Sequence, residues 1–167
     1  MPEAEHIVVM GAMGSGKTTL GRRLAEALGR DFHDSDRSIE RRVGKSGREI
    51  AETDGVDALH RLERDVFLEA LSSDEPAVIA AAASVIEDAE VRQGMTGAFC
   101  VWVTADPRIL AERATKGDHR RSVAVSEHLE RRDRLFTEMA DLVIDTGDRS
   151  AGETATLVLE ELRGAKN

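Results

Sequence analysis

Residues 6–19 read His-Ile-Val-Val-Met-Gly-Ala-Met-Gly-Ser-Gly-Lys-Thr-Thr, and the order of their properties decides the fold. An apolar run suited to a buried strand comes first. Gly11-Ala12-Met13-Gly14-Ser15-Gly16-Lys17-Thr18 follows and fits the pattern G-x-x-x-x-G-K-[ST]. An amphipathic helical pattern begins directly after it. Glycines let the backbone curl until successive N–H groups point at phosphate oxygens, and the helix that follows adds its positive end. Lys17 reaches the β- and γ-phosphates, and Thr18 offers a hydroxyl to Mg2+. An ordinary glycine-rich turn gives no reason for lysine and threonine at these two places. The stretch implies a site for a nucleoside triphosphate with Mg2+, built from Gly11, Gly14, Ser15, Gly16, Lys17, Thr18 and Thr19.

Outward from this loop, short apolar runs alternate with helical patterns to the end of the chain. That alternation predicts parallel strands joined by helical crossovers. The strands fall at His6–Met10, near Asp31–His33, and at Ala77–Ala81, Phe99–Thr104 and Leu142–Asp145. Most are apolar without alternation, as strands covered on both faces should be. The fold class is α/β, a three-layer sandwich around a five-stranded parallel sheet. Helix starts are marked by Ser46 with Glu49, by Ser150 with Glu153, and by Asp106 before Pro107. No repeat or proline-rich linker interrupts the 167 residues, so 1–167 reads as one domain.

Composition narrows the partners. The net charge of -9, with both signs mixed along the chain, argues against nucleic acid or an anionic membrane surface. Neither a membrane-spanning run nor a signal-peptide pattern is visible, and the lone Cys100 sits between apolar neighbours as a buried thiol. A cytoplasmic monomer is the expectation. Trp102 reads as core, and His6, His119 and His128 have no neighbours at metal-ligand spacing.

After the first helix comes Phe32-His33-Asp34-Ser35-Asp36. The two carboxylates, two residues apart, fall on one side of an extended segment. One carboxylate here can hold Mg2+ through water while the other orients or deprotonates an acceptor hydroxyl. The bland alternative is a turn with Asp36 as a helix N-cap, and spacing alone does not choose between them.

At this point the sequence resembles the shikimate kinases, P-loop kinases that phosphorylate the 3-hydroxyl of shikimate with ATP. The likeness runs from GAMGSGKTTLGRRLAEALGRDFHDSD through IERRVGKSGREIAETDG and HRLE to Arg131-Arg132-Asp133-Arg134-Leu135-Phe136. The resemblance implies the P-loop kinase fold, ATP contacts along the glycine-rich loop, Mg2+ held by Thr18 with Asp34 in support, and Asp36 facing the reactive hydroxyl. It implies that Arg121, in a lid over about 116–123 (Lys116–Val123), reaches over the phosphates. It also implies that Arg132 binds the acceptor's carboxylate.

Two departures fall on the acceptor side. The family's Phe-Arg pair appears as Leu59-His60, with Arg61 the adjacent basic residue, and its three glycines after the third strand are replaced within Ala80-Ala81-Ala82-Ala83-Ser84. An imidazole cannot reproduce a guanidinium's paired hydrogen bonds to a carboxylate, and methyl groups narrow the approach of backbone amides and disfavour positive φ. The expectation is an ATP-dependent phosphotransferase acting on a small hydroxylated acceptor other than shikimate, held by Asp36, His60, Arg61 and Arg132. The alternatives are a genuine shikimate kinase and a nucleotide-binding regulator without turnover.

Overall fold

The computed structural model describes residues 5–106, 108–110 and 124–164. Five strands form one parallel sheet in the order β2-β3-β1-β4-β5: β1 Ile7–Met10, β2 Asp31–Asp34, β3 Ala77–Ala80, β4 Phe99–Thr104 and β5 Leu142–Asp145. Each strand expected from the sequence is present to within one residue at either end. Helices α1 Lys17–Leu28, α2 Ser35–Val43, α3 Gly47–Thr53, α4 Val56–Leu71, α5 Ala89–Gly94, α6 Ala124–Met139 and α7 Ala151–Gly164 connect and follow the strands, with a short 3-10 helix at Ala83–Glu87.

The strands are apolar on both sides because both sides are covered. Along β1, Ile7 and Val9 join one core with Leu20, Leu24 and Val158, while Val8 and Met10 join the other with Phe67, Met95 and Phe136. That period of two is the pleat itself, each alternate side chain entering the opposite layer. Trp102 packs on the second core, its ring 5.7 Å from that of Phe136. Cys100 is buried there, and desolvation together with Asp141 pushes its thiol up to about 12, which leaves it inert. A third cluster of Ile39, Ile50, Leu59 and Val66 joins α2, α3 and α4 beside the sheet.

The capping signals hold. Ser46 and Glu49 exchange both bonds of a capping box, Ser150 Oγ accepts from Glu153 N–H at 3.1 Å, and Asp106 accepts from Arg108 N–H at 2.8 Å. His6 precedes β1 and bridges two segments: Nδ1 accepts from Ala77 N–H at 3.1 Å, so Nε2 donates to Ser73 O at 3.1 Å. No helix among the described residues is long and apolar enough to cross a membrane. The strand order reverses at β1, whose neighbours β3 and β4 lead to opposite halves of the sheet, and in such sheets ligands bind beyond the strands' carboxyl ends at that point.

Candidate active site

The loop after β1 is built around close approaches that a side chain would forbid. A Cβ on Gly11 would lie 2.4 Å from Val103 O, so no other residue fits there. Gly16 caps α1 at φ 99°, a left-handed conformation, and supplies no side chain to the helix end. The first N–H groups of α1, at Lys17, Thr18 and Thr19, therefore remain for an anion. Ser15 is buried and its hydroxyl finds no partner within the described residues, as a loop shaped to hold phosphate leaves polar atoms over. Thr146, at the end of β5, holds the loop from below through Oγ1 to Ser15 O at 2.9 Å.

Lys17 lies back across this loop, donating to Gly11 O at 2.7 Å and Ala12 O at 3.0 Å. Desolvation lowers its ammonium to about 8, against the attraction of Asp36, Asp34 and Glu63. Lys17 is thus a cation short of solvent, which favours a bound polyanion, while the carboxylates nearby already offset part of its charge.

The acidic pair differs from its expected geometry. Asp34 ends β2, but Asp36 already lies in the first turn of α2, so the two are not on one side of an extended segment. The N-cap is Asp34, not Asp36: its Oδ1 accepts from Asp36 N–H at 3.0 Å. Capping uses one oxygen of a buried carboxylate and turns the chain, which leaves Asp36 at the open side of the site. Burial beside the loop, then the Asp34 charge, raise the Asp36 carboxyl above the ordinary range, with Lys17 opposing.

Glu63 joins them, although the sequence reading gave it no role. It stands three residues after His60 on α4, one turn along the same face, and accepts from Ser84 Oγ at 2.8 Å. Desolvation raises its carboxyl, and Asp36, Arg132 and Lys17 all act on it, so these four charges share one site. Its signal was the spacing from His60 within HRLE. Arg132, largely buried on α6, places Nε and Nη2 each 3.2 Å from Glu87 Oε2. Arg61 is exposed on α4 and is not among the charges acting on Lys17, Asp36 or Glu63. Arg121 and the segment 116–123 lie outside the described residues.

The alanine run costs less than its sequence suggests. Among the described residues only glycines have positive φ, and Ala82 sits at φ −62°, ψ 146°, so no left-handed conformation is required there. Ala81 donates its N–H to Val9 O at 3.0 Å, its methyl belongs to the core with Phe67 and Phe136, and Ala82 packs against that core. The Ala81 methyl fills the interior, and that of Ala82 lies partly buried against it.

Across the loop from the acidic cluster, a recess of about 310 Å³ is lined by Gly14, Gly16, Thr19, Thr146, Arg149 and Thr154. It lies beside the phosphate loop, where the end of β5 and the start of α7 reach it. Thr146, Arg149 and Thr154 carry no motif, and only the approach of β5 and α7 to the loop brings them there.

A family model described as shikimate kinase matches residues 13–163. A curated shikimate kinase of Thermobifida fusca is 36% identical over 165 residues, 95% of each chain. One from Nitrosococcus oceani is 33% identical over 168 residues, 96% of this chain and 88% of the relative. Among solved structures, shikimate kinase from Acinetobacter baumannii in complex with shikimate superposes with a TM-score of 0.84 at 28% identity, covering 97% of this chain and 94% of that one. Matches of this length, on a sheet of this order carrying an intact phosphate loop, show that the chain belongs to the shikimate kinase family, ATP-dependent small-molecule kinases with the P-loop kinase fold.

Proposed function

We propose that the acceptor is shikimate, and that the chain transfers the γ-phosphate of ATP to one of its hydroxyls. The observation that carries this is the likeness to curated shikimate kinases along nearly the whole chain, not the loop alone. The convergence of Lys17, Asp36, Glu63 and Arg132 supports it. The acceptor hydroxyl donates to Asp36, whose raised carboxyl accepts the proton more readily at neutral pH than an ordinary aspartate. The hydroxyl oxygen bonds to the γ-phosphorus as the bond to ADP breaks, and Lys17 balances the charge on the phosphoryl oxygens. Arg132 takes the acceptor's carboxylate.

The oxygen donors present fit Mg2+, which favours one or two protein oxygens together with substrate phosphates. Thr18 and the Asp34 oxygen not used for capping would hold it, and when bound it offsets the charge of the β- and γ-phosphates.

A second reading, a different hydroxy acid, draws on one observation: His60 stands on α4 where the family's arginine is expected, and the adjacent Arg61 is exposed. Incubation with ATP, Mg2+ and a panel of shikimate, quinate, gluconate, cyclitols and small sugars, with products weighed by mass spectrometry, separates the two. Phosphoshikimate as the dominant product is expected. A dominant product from another acceptor would establish the second reading.

A further inference from the structure

We propose that Glu87 is a positioning residue for the acceptor site, holding Arg132 by one edge so that its other edge meets the acceptor's carboxylate. The inference rests on the proposed role of Arg132. Each oxygen of Glu87 serves a different arginine: Oε1 accepts from Arg131 Nε at 2.6 Å, and Oε2 takes both Nε and Nη2 of Arg132. A guanidinium has five N–H groups in a fixed fork, so a side-on partner at Nε and Nη2 leaves the Nη1 and Nη2 edge for a second carboxylate. The arginines lower Glu87's carboxyl, in spite of partial burial, and keep it charged.

The backbone beneath Glu87 is itself anchored. Ile86 O accepts from Arg92 Nη1 at 2.7 Å, and Asp88 caps α5 through Val91 N–H at 3.0 Å while pairing with Arg64 of α4 at 2.8 Å. Three consecutive residues therefore tie the end of the 3-10 helix to α4, α5 and α6. At the other end of the same short helix, Ser84 holds Glu63. One turn and a half of chain orients both the acidic and the basic side of the acceptor site, and Arg132 cannot change rotamer without giving up Glu87.

The test is steady-state kinetics of Glu87→Gln and Glu87→Ala with shikimate and with its methyl ester, which lacks the carboxylate, and with Arg132→Ala in parallel. Both Glu87 variants should raise KM for shikimate on the order of 2- to 10-fold, the cost of immobilising one long side chain again. Turnover at saturation, KM for ATP and KM for the ester should hold within about two-fold, a split that general loss of structure would not give. If Arg132→Ala raises KM for shikimate and neither Glu87 variant does, or if the ester responds like the acid, the inference is wrong and the acceptor reading survives. If Arg132→Ala leaves KM for shikimate unchanged, the roles of Arg132 and Glu87 fail while shikimate stands as the acceptor; if the wild-type protein does not use shikimate, the acceptor reading fails and takes the role of Glu87 with it.

Discussion

Lys17 ties ATP binding to pH in a direction that can be worked out. Without nucleotide its ammonium titrates at about 8, because desolvation outweighs the attraction of Asp36, Asp34 and Glu63. Two loop carbonyls are its hydrogen-bond partners. Phosphate oxygens bring full negative charge to the same atom and return its pKa towards the ordinary 10.5. Bound protein then holds the proton over a range where free protein has lost it, so binding takes up protons between those values. With a free value of about 8, uptake per ATP is about 0.1 proton at pH 7, about 0.5 at pH 8 and about 0.9 at pH 9. Affinity for ATP weakens accordingly as pH rises above 8, by up to about tenfold per pH unit. Calorimetric titration with MgATP at each pH, in buffers of different ionisation enthalpy, counts the protons directly. Zero uptake at pH 9, or release, would show that Lys17 is not the desolvated cation described here or does not meet the phosphates.

Lys17→Ala should slow phosphoryl transfer by on the order of a hundred-fold or more while the thermal midpoint stays within a few degrees, since among the described residues the side chain bonds only to its own loop. Asp36→Asn should lower kcat far more than it changes KM for ATP, whereas Asp34→Asn should chiefly raise the Mg2+ requirement, because asparagine still caps α2; equal effects on ATP affinity alone would remove the distinction. Gly21→Ala places a methyl 2.6 Å from Phe32 Cε1 and should destabilise by about 1–3 kcal/mol, seen as a lower melting temperature. An unchanged midpoint would mean that Phe32 moves aside freely.

The strands and the phosphate loop were legible because each depends on local signals: unbroken apolar runs for doubly covered strands, and fixed glycine, lysine and threonine positions for the loop. Asp34 and Asp36 were found as a pair, and the resemblance divided their roles, but the geometry that separates them was not legible. The cap that turns the chain between them is a bond from the Asp36 N–H to the Asp34 side chain, and the spacing alone fits an extended segment equally well. Ala81 and Ala82 misled in a different way. A methyl's cost depends on which side of the strand end it occupies, and both pack with the core rather than lying bare. The expectation of a changed acceptor leaned on that cost, and the full-length likeness to curated shikimate kinases favours the alternative. Glu63 had a signal in its helical spacing from His60, whereas Glu87 and the recess at Thr146 and Arg149 come from elements distant in sequence, so periodicity gives no sign of them.

The most direct test of the account is the specificity constant of the wild-type protein for shikimate, measured from ADP release with saturating MgATP. The site described here predicts a kcat/KM of about 10⁴ M⁻¹s⁻¹ or more, within the ordinary range of enzymes acting on their own substrates. A value below about 10² M⁻¹s⁻¹, with another hydroxy acid exceeding it, would contradict the proposed acceptor and show that His60 marks a change of substrate.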